Sequence, residues 1–224
     1  MNGFGGFPPT AFAFFEDLEA DNSRDYWSAN RTVWEEQVRG PMLALLAELD
    51  DEFGPLRMFR PNRDLRFSRD RSPYRLWAGA TSESRAVGGI GHHLRVSAAG
   101  LAVGYGAMAL ARDQLRRFRV ALDDEGSGRE FEDLLATLAR RSLPVTCGID
   151  PPLKRVPPGY PTAHPRAELL RWKGAAVVRE QARAGWMHTA EALDRIRDVW
   201  RGARPLREWL AAYVGATEEP VRSR

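Results

Sequence analysis

The spacing of apolar residues changes twice along this 224-residue chain, and the order of the changes constrains the fold more than any other feature. Phe12, Phe15 and Leu18 fall on one helical face, and Trp27, Trp34 and Val38 repeat the pattern. After a break at Gly40-Pro41, Met42, Leu45, Leu46 and Leu49 form an i, i+3, i+4, i+7 stripe. Between residues 56 and 108 the period becomes two. His92, Leu94 and Val96 alternate with His93, Arg95 and Ser97; a turn falls at Ala98-Ala99-Gly100; Leu101, Val103 and Tyr105 then alternate with Ala102, Gly104 and Gly106. Leu76 to Thr81 reads as a neighbouring strand, and the glycines of the return strand thin one face enough for close approach by a helix, a loop or a ligand.

Helical spacing then returns. Leu115, Phe118 and Leu122 form one stripe, and Ser127 with Glu130 reads as a capping box before Phe131, Leu134, Leu135 and Leu138. A loop with six prolines between Pro151 and Pro165 follows, and Pro165 opens a short helix through Trp172. Ala175 to Arg179 reads as a strand, and stripes at Leu193, Ile196, Trp200 and at Leu206, Trp209, Leu210, Tyr213 close the chain. Helices, strands, then helices predict an α+β fold. Its antiparallel sheet spans roughly residues 57–108, with 175–179 as a further strand, and is flanked by N-terminal and C-terminal helices. A single domain over 1–224 is expected, with a disordered tail from about 217.

At 43% hydrophobic and 28% charged the composition is that of a soluble protein. Glu16 and Asp17 interrupt the apolar run near the start, so it reads as neither signal peptide nor membrane span; a cytoplasmic setting and no membrane partner are expected. The one cysteine, Cys147, excludes an internal disulfide and a zinc site of several thiolates, and is expected to be buried and passive. His92 and His93 are adjacent on a strand and point to opposite faces, so they do not chelate one ion. No P-loop, H-E-x-x-H or G-x-S-x-G pattern is present; the expectation is no metal and no cofactor.

The charge is unevenly placed. Residues 57–75 carry seven arginines against two aspartates, whereas the rest of the chain carries 26 basic and 28 acidic side chains. As extended chain the segment sorts by parity, with Arg60, Asn62, Asp64, Arg66, Ser68 and Asp70 on one side and Phe59, Pro61, Leu65 and Phe67 on the other with Arg63. Converging guanidinium forks hold phosphate or carboxylate bidentately. The competing reading is an internal ion-pair lattice with Asp64, Asp70, or the acidic runs at Glu16-Asp17 and Asp50-Asp51-Glu52. The proline loop adds Lys154, Arg155, Tyr160 and His164 on a stiff support.

Phe59-Arg60-Pro61-Asn62-Arg63-Asp64-Leu65-Arg66-Phe67-Ser68, with Asp70 and Ser72-Pro73-Tyr74, resembles the signature of a family of conserved hypothetical proteins known as a domain of unknown function. The resemblance extends to Gly6-Phe7-Pro8-Pro9, Asn22-Ser23-Arg24-Asp25, Leu153-Lys154-Arg155-Val156-Pro157, Gly159-Tyr160-Pro161 and His164-Pro165. It implies no particular activity, substrate or cofactor. Arg69, Arg71 and Arg75 stand where lysine is common in the family, and Tyr26-Trp27 where Trp-Phe is usual.

Three functional readings stay open on these residues. In the first, the arginine motif and the proline loop form one pocket for a small phosphate- or carboxylate-bearing molecule, held by Arg60, Asn62, Arg63, Arg66, Ser68, Lys154 and Arg155. Were that pocket catalytic, Asp64, Tyr74 or His164 is the candidate proton carrier. In the second, the same basic surface binds nucleic acid. In the third, the protein is an interaction module whose seven arginines are all paired internally.

Overall fold

The structure is a computed structural model, and it describes residues 3–66, 70–82 and 89–219. Four helices precede the first strand: α1 (Pro9–Ala20), α2 (Arg24–Ala29), α3 (Arg31–Val33) and α4 (Gly40–Phe53), with a π-helical turn at Trp34–Arg39 joining the last two. Ser23 caps α2 by accepting the Tyr26 N–H at 3.1 Å. The break expected at Gly40-Pro41 does not occur. Proline lacks an N–H and crowds the preceding helical turn; here the turn before it is wound wide, with Gly40 N–H bonded to Glu35 O five residues back, and the rod continues to Gly54, where φ reaches +74°.

Six strands form one antiparallel sheet in the order β1-β2-β3-β4-β6-β5. They are β1 (Leu56–Met58), β2 (Trp77–Ser82), β3 (Ile90–Ser97), β4 (Gly100–Ala107), β5 (Val145–Thr146) and β6 (Ala175–Ala182). The α+β class and the strand at 175–179 are as the period changes predict. Leu56 pairs with Ser82, Trp77 with Ser97, and Val145 with Val177. On β3, His92, Leu94 and Val96 are buried while Arg95 is exposed, the expected alternation.

The helices that follow are α5 (Arg112–Asp123), α6 (Glu125–Arg140), α7 (Ala167–Leu170), α8 (Glu191–Gly202) and α9 (Arg204–Tyr213). The capping box expected at Ser127 and Glu130 is displaced. Asp124 is the cap of α6, accepting Ser127 N–H at 3.0 Å, while the Ser127 hydroxyl donates to Ala121 O at 2.7 Å. Asp124 precedes a better first turn, because Glu125 places its carboxylate at the positive end of the helix.

The chain groups into two compact units. One comprises Met1–Ser82, His93–Val103 and Glu180–Asp198; the other comprises Glu83–His92, Gly104–Arg179 and Val199–Arg224. In the first, Phe14 lies 5.7 Å and Trp27 5.1 Å from Trp34, centroid to centroid, over a core that includes Phe12, Phe15, Leu18 and Leu45. In the second, Phe131 meets Trp209 at 4.4 Å and Phe118 meets both, and the Trp209 indole N–H donates to Ser127 O at 3.0 Å. His92 lies between Tyr105 and Trp200 at 4.9 and 4.7 Å. The expected C-terminal tail falls partly on 220–224, outside the described residues; within it Thr217 and Glu218 hydrogen-bond to Asp113.

Candidate functional site

Residues 61–75 leave β1 and return to β2 as an excursion with a tied neck. Asn62 and Tyr74 form an antiparallel bridge, flanked by Arg63 N–H to Pro73 O and Arg75 N–H to Pro61 O, each 2.8 Å. Tyr74 is buried and clipped by Asn22, whose side-chain amide donates to Tyr74 O at 3.0 Å and accepts Tyr74 N–H at 3.1 Å. Its ring stacks on Trp27 at 4.2 Å and 11°. The parity expected for the segment is present: Arg60, Asn62, Asp64 and Arg66 are exposed, whereas Phe59, Pro61, Arg63 and Leu65 are half-buried. Phe67, Ser68 and Arg69 lie outside the described residues, Ser68 being the ligand candidate among them.

The arginines divide into two classes. Arg63 pairs with Asp70 and donates to Ser72 O; Arg66 forks onto Asp64, with Nη2 2.7 Å from Oδ2 and Nε 3.0 Å from Oδ1. Arg75 lies over the Trp77 and Phe59 rings, its Cζ 4.9 and 5.8 Å from the centroids. The side chains of Arg57 and Arg60, by contrast, carry no hydrogen bond or ion pair among the described residues. Of the acidic runs suggested as lattice partners, Glu16 pairs with Arg183 at 3.1 Å and Glu52 with Arg197 at 3.9 Å.

Arg60 lines a cleft of about 440 Å³ built wholly within the first unit. Asn62 and Pro61 continue its wall from the excursion, Met58 from β1, and Phe59 from the residue after it. The opposite side comes from the helices: Trp27, Arg31, Trp34, Glu35, Arg39 and Leu43. Glu35 and Arg39 pair at 3.2 Å, and the Arg31 side chain has no hydrogen bond or ion pair among the described residues. The cleft therefore presents three guanidinium groups against one carboxylate, above two tryptophans. Its size falls within the ~300–1,000 Å³ typical of small-molecule sites. Residue-type reasoning on the arginine motif missed the helical half. Arg31, Glu35 and Arg39 recur every four residues, a spacing that puts charged groups on one helical side, and the π-turn supplies three of the lining residues.

Two of the three proton-carrier candidates, Asp64 and His164, are engaged through their titrating groups. Hydrogen bonds from the Arg66 side chain and backbone pull the Asp64 carboxyl down to about 2, leaving a weak base. Tyr74 is held by its stack and backbone clip. His164, in the second unit, accepts the Arg166 N–H at Nδ1 (2.9 Å), so Nε2 carries the proton and faces Asp123 Oδ1 at 3.1 Å.

Lys154 and Arg155 also belong to the second unit, where they are exposed and without a hydrogen bond or ion pair among the described residues. The cation beside that loop with the most partners is Arg166, which the sequence reading passed over. It is buried, with contacts to Glu125, Glu132 and Leu122 O.

Cys147 is half-exposed rather than buried, its Sγ 3.6 Å from Asp150 O, because the chain beyond β5 turns at Gly148 (φ +90°) toward the surface residues Ile149 and Asp150. Among the described residues, no group of three or more His, Cys, Asp or Glu side chains could hold a metal ion, and no helix is long and apolar enough to cross a membrane.

A family model described as a conserved hypothetical protein, DUF2461, matches residues 10–209. No curated protein and no solved structure matches the chain.

Proposed function

We propose that the chain, which belongs to the conserved hypothetical protein family DUF2461, binds a small phosphate- or carboxylate-bearing molecule in the cleft at Arg60. One observation carries this reading: Arg60 and Arg31 line a concave site without an ion-pair partner among the described residues, while Arg63 and Arg66 beside them are neutralised by Asp70 and Asp64. Uncompensated like charges around one cleft repel, and an anion between them relieves that repulsion while accepting charge-assisted hydrogen bonds. The same pairing weighs against the nucleic-acid alternative, since self-neutralised arginines leave less charge for a phosphate backbone. The unpaired state of Arg57 and Arg60 weighs against a purely structural lattice. The cytoplasmic setting expected from the sequence is part of the same proposal.

Titration of inorganic phosphate and of citrate, followed by calorimetry and by the emission of Trp27 and Trp34, tests it. Arg60→Ala is expected to weaken binding about ten- to a hundredfold, the loss of one charge-assisted contact of ~1.5–3 kcal/mol, with an unchanged melt. Arg66→Ala is expected to change affinity less than about twofold, because its guanidinium is committed to Asp64. Absence of saturable binding by the wild-type protein at millimolar anion would end the proposal.

A further inference from the structure

An inorganic anion would satisfy Arg31 and Arg60 but leave the apolar half of the cleft unaccounted for. Leu43 is 41% exposed where it lines the cleft, one of few large apolar side chains so open, and Trp27 beside it is half-exposed. Trp27 is also fixed in orientation. Tyr74 covers one of its faces at 4.2 Å, and Phe14 and Trp34 meet it at 5.8 and 5.1 Å. Tyr74 is not part of the cleft lining, so the surface that Trp27 turns to the cleft is not the face under Tyr74. An indole held this way loses little side-chain freedom when a second ring lies on it.

We infer that the occupant of the cleft is a planar aromatic anion, its charged group between Arg31 and Arg60 and its ring against Trp27; the inference rests on the small-anion reading and specifies it. Apolar burial alone would accept any hydrocarbon body over Leu43. Offset stacking on an indole rewards a flat π-system beyond its area, and that distinguishes an aryl from an alkyl ester of the same size.

The test compares inorganic phosphate, phenyl phosphate and cyclohexyl phosphate on the full chain by calorimetry. Phenyl phosphate is expected to bind about two- to tenfold more tightly than cyclohexyl phosphate, the range that ring stacking supplies. Trp27→Leu is expected to abolish that preference, bringing the affinities for phenyl and cyclohexyl phosphate to within about twofold of each other. Equal affinity for the two esters, with inorganic phosphate bound, would overturn the ring inference and leave the anion reading standing. Binding of none of the three would overturn both. The comparison on the wild-type protein decides the matter even where Trp27→Leu does not fold.

Discussion

Arg166 places its Nε 3.0 Å from Glu132 Oε2 with only 4% of its side chain exposed. Its Nη2 reaches Glu125 Oε2 at 3.0 Å and its Nη1 reaches Leu122 O at 3.3 Å, so one guanidinium ties the end of α5 and the first turns of α6 to the start of α7. Removing it would leave a cavity and a buried carbonyl without its donor, while the two carboxylates, 69% and 46% exposed, would recover water. Arg166→Ala is expected to cost ~2–3 kcal/mol, below the ~3–5 kcal/mol of a fully buried broken pair. Arg129→Ala, which removes an exposed partner of the same Glu125, should stay within ~0.5 kcal/mol. Urea melts at constant slope check both; equal losses would deny Arg166 its tying role.

Acid should loosen the C-terminal segment through Asp113. The Glu218 N–H at 2.9 Å, with Thr217 Oγ1 at 2.8 Å and Arg117 at 3.1 Å, holds this carboxyl well below the usual carboxylate range, against burial that pushes it up. A depressed carboxylate contributes stability that is fully present above its unfolded value of about 3.9 and is lost as pH falls toward the lower folded value. Stability is therefore expected to decline below about pH 4. Asp113→Asn should be less stable at pH 7 but show a flatter acid limb in denaturant melts between pH 7 and 2. Parallel limbs would assign the acid sensitivity to other carboxylates.

Gly106→Ala tests the close approach of β4 and β6. Gly106 has φ +132°, and a Cβ there would lie 2.3 Å from Ala175 O. At this position the glycine serves the approach of the neighbouring strand within the sheet, not the approach of a helix, loop or ligand over the sheet face read from the sequence. Backbone strain alone is expected to cost ~1–3 kcal/mol, with the clash adding to it. Gly159→Ala is the control: φ is also positive, at +94°, but nothing lies within 4 Å, so only the strain remains. A smaller melting loss at Gly106 than at Gly159 would contradict the packing argument.

Periodicity made most of the fold legible because it records burial. The alternation at His92, Leu94 and Val96 and the stripe at Met42, Leu45 and Leu49 survive unchanged in the structure. What it could not record is a lone buried charge. Arg166 follows a proline loop, and its partners Glu125 and Glu132 lie 41 and 34 residues away on a helix whose charged face reads as solvated. The arginine motif was legible by parity, yet the division between committed and free guanidinium groups depends on which aspartates turn back onto Arg63 and Arg66. The helical half of the cleft was hidden for another reason. Gly40-Pro41 reads as a break, and the π-turn that absorbs the proline has no propensity signature.

Asn22 governs the excursion that carries Asn62 and directly follows Arg60, without itself lining the cleft. Its amide donates to Tyr74 O and accepts Tyr74 N–H, and Tyr74 in turn bridges Asn62. Only a carboxamide offers both a donor and an acceptor in this geometry. Asn22→Ala is expected to cost ~1–3 kcal/mol for two part-buried backbone groups left without their partner. Asn22→Asp should not rescue it, because a carboxylate keeps the bond from Tyr74 N–H but sets a lone pair against Tyr74 O. Both variants are expected to speed amide exchange at Arg63, Tyr74 and Arg75 and to weaken phosphate binding, since Arg60 and Asn62 lose a fixed support. Hydrogen exchange at those three amides together with phosphate titration checks the link, and unchanged exchange with full affinity in Asn22→Asp would show that the clip does not set the position of the excursion.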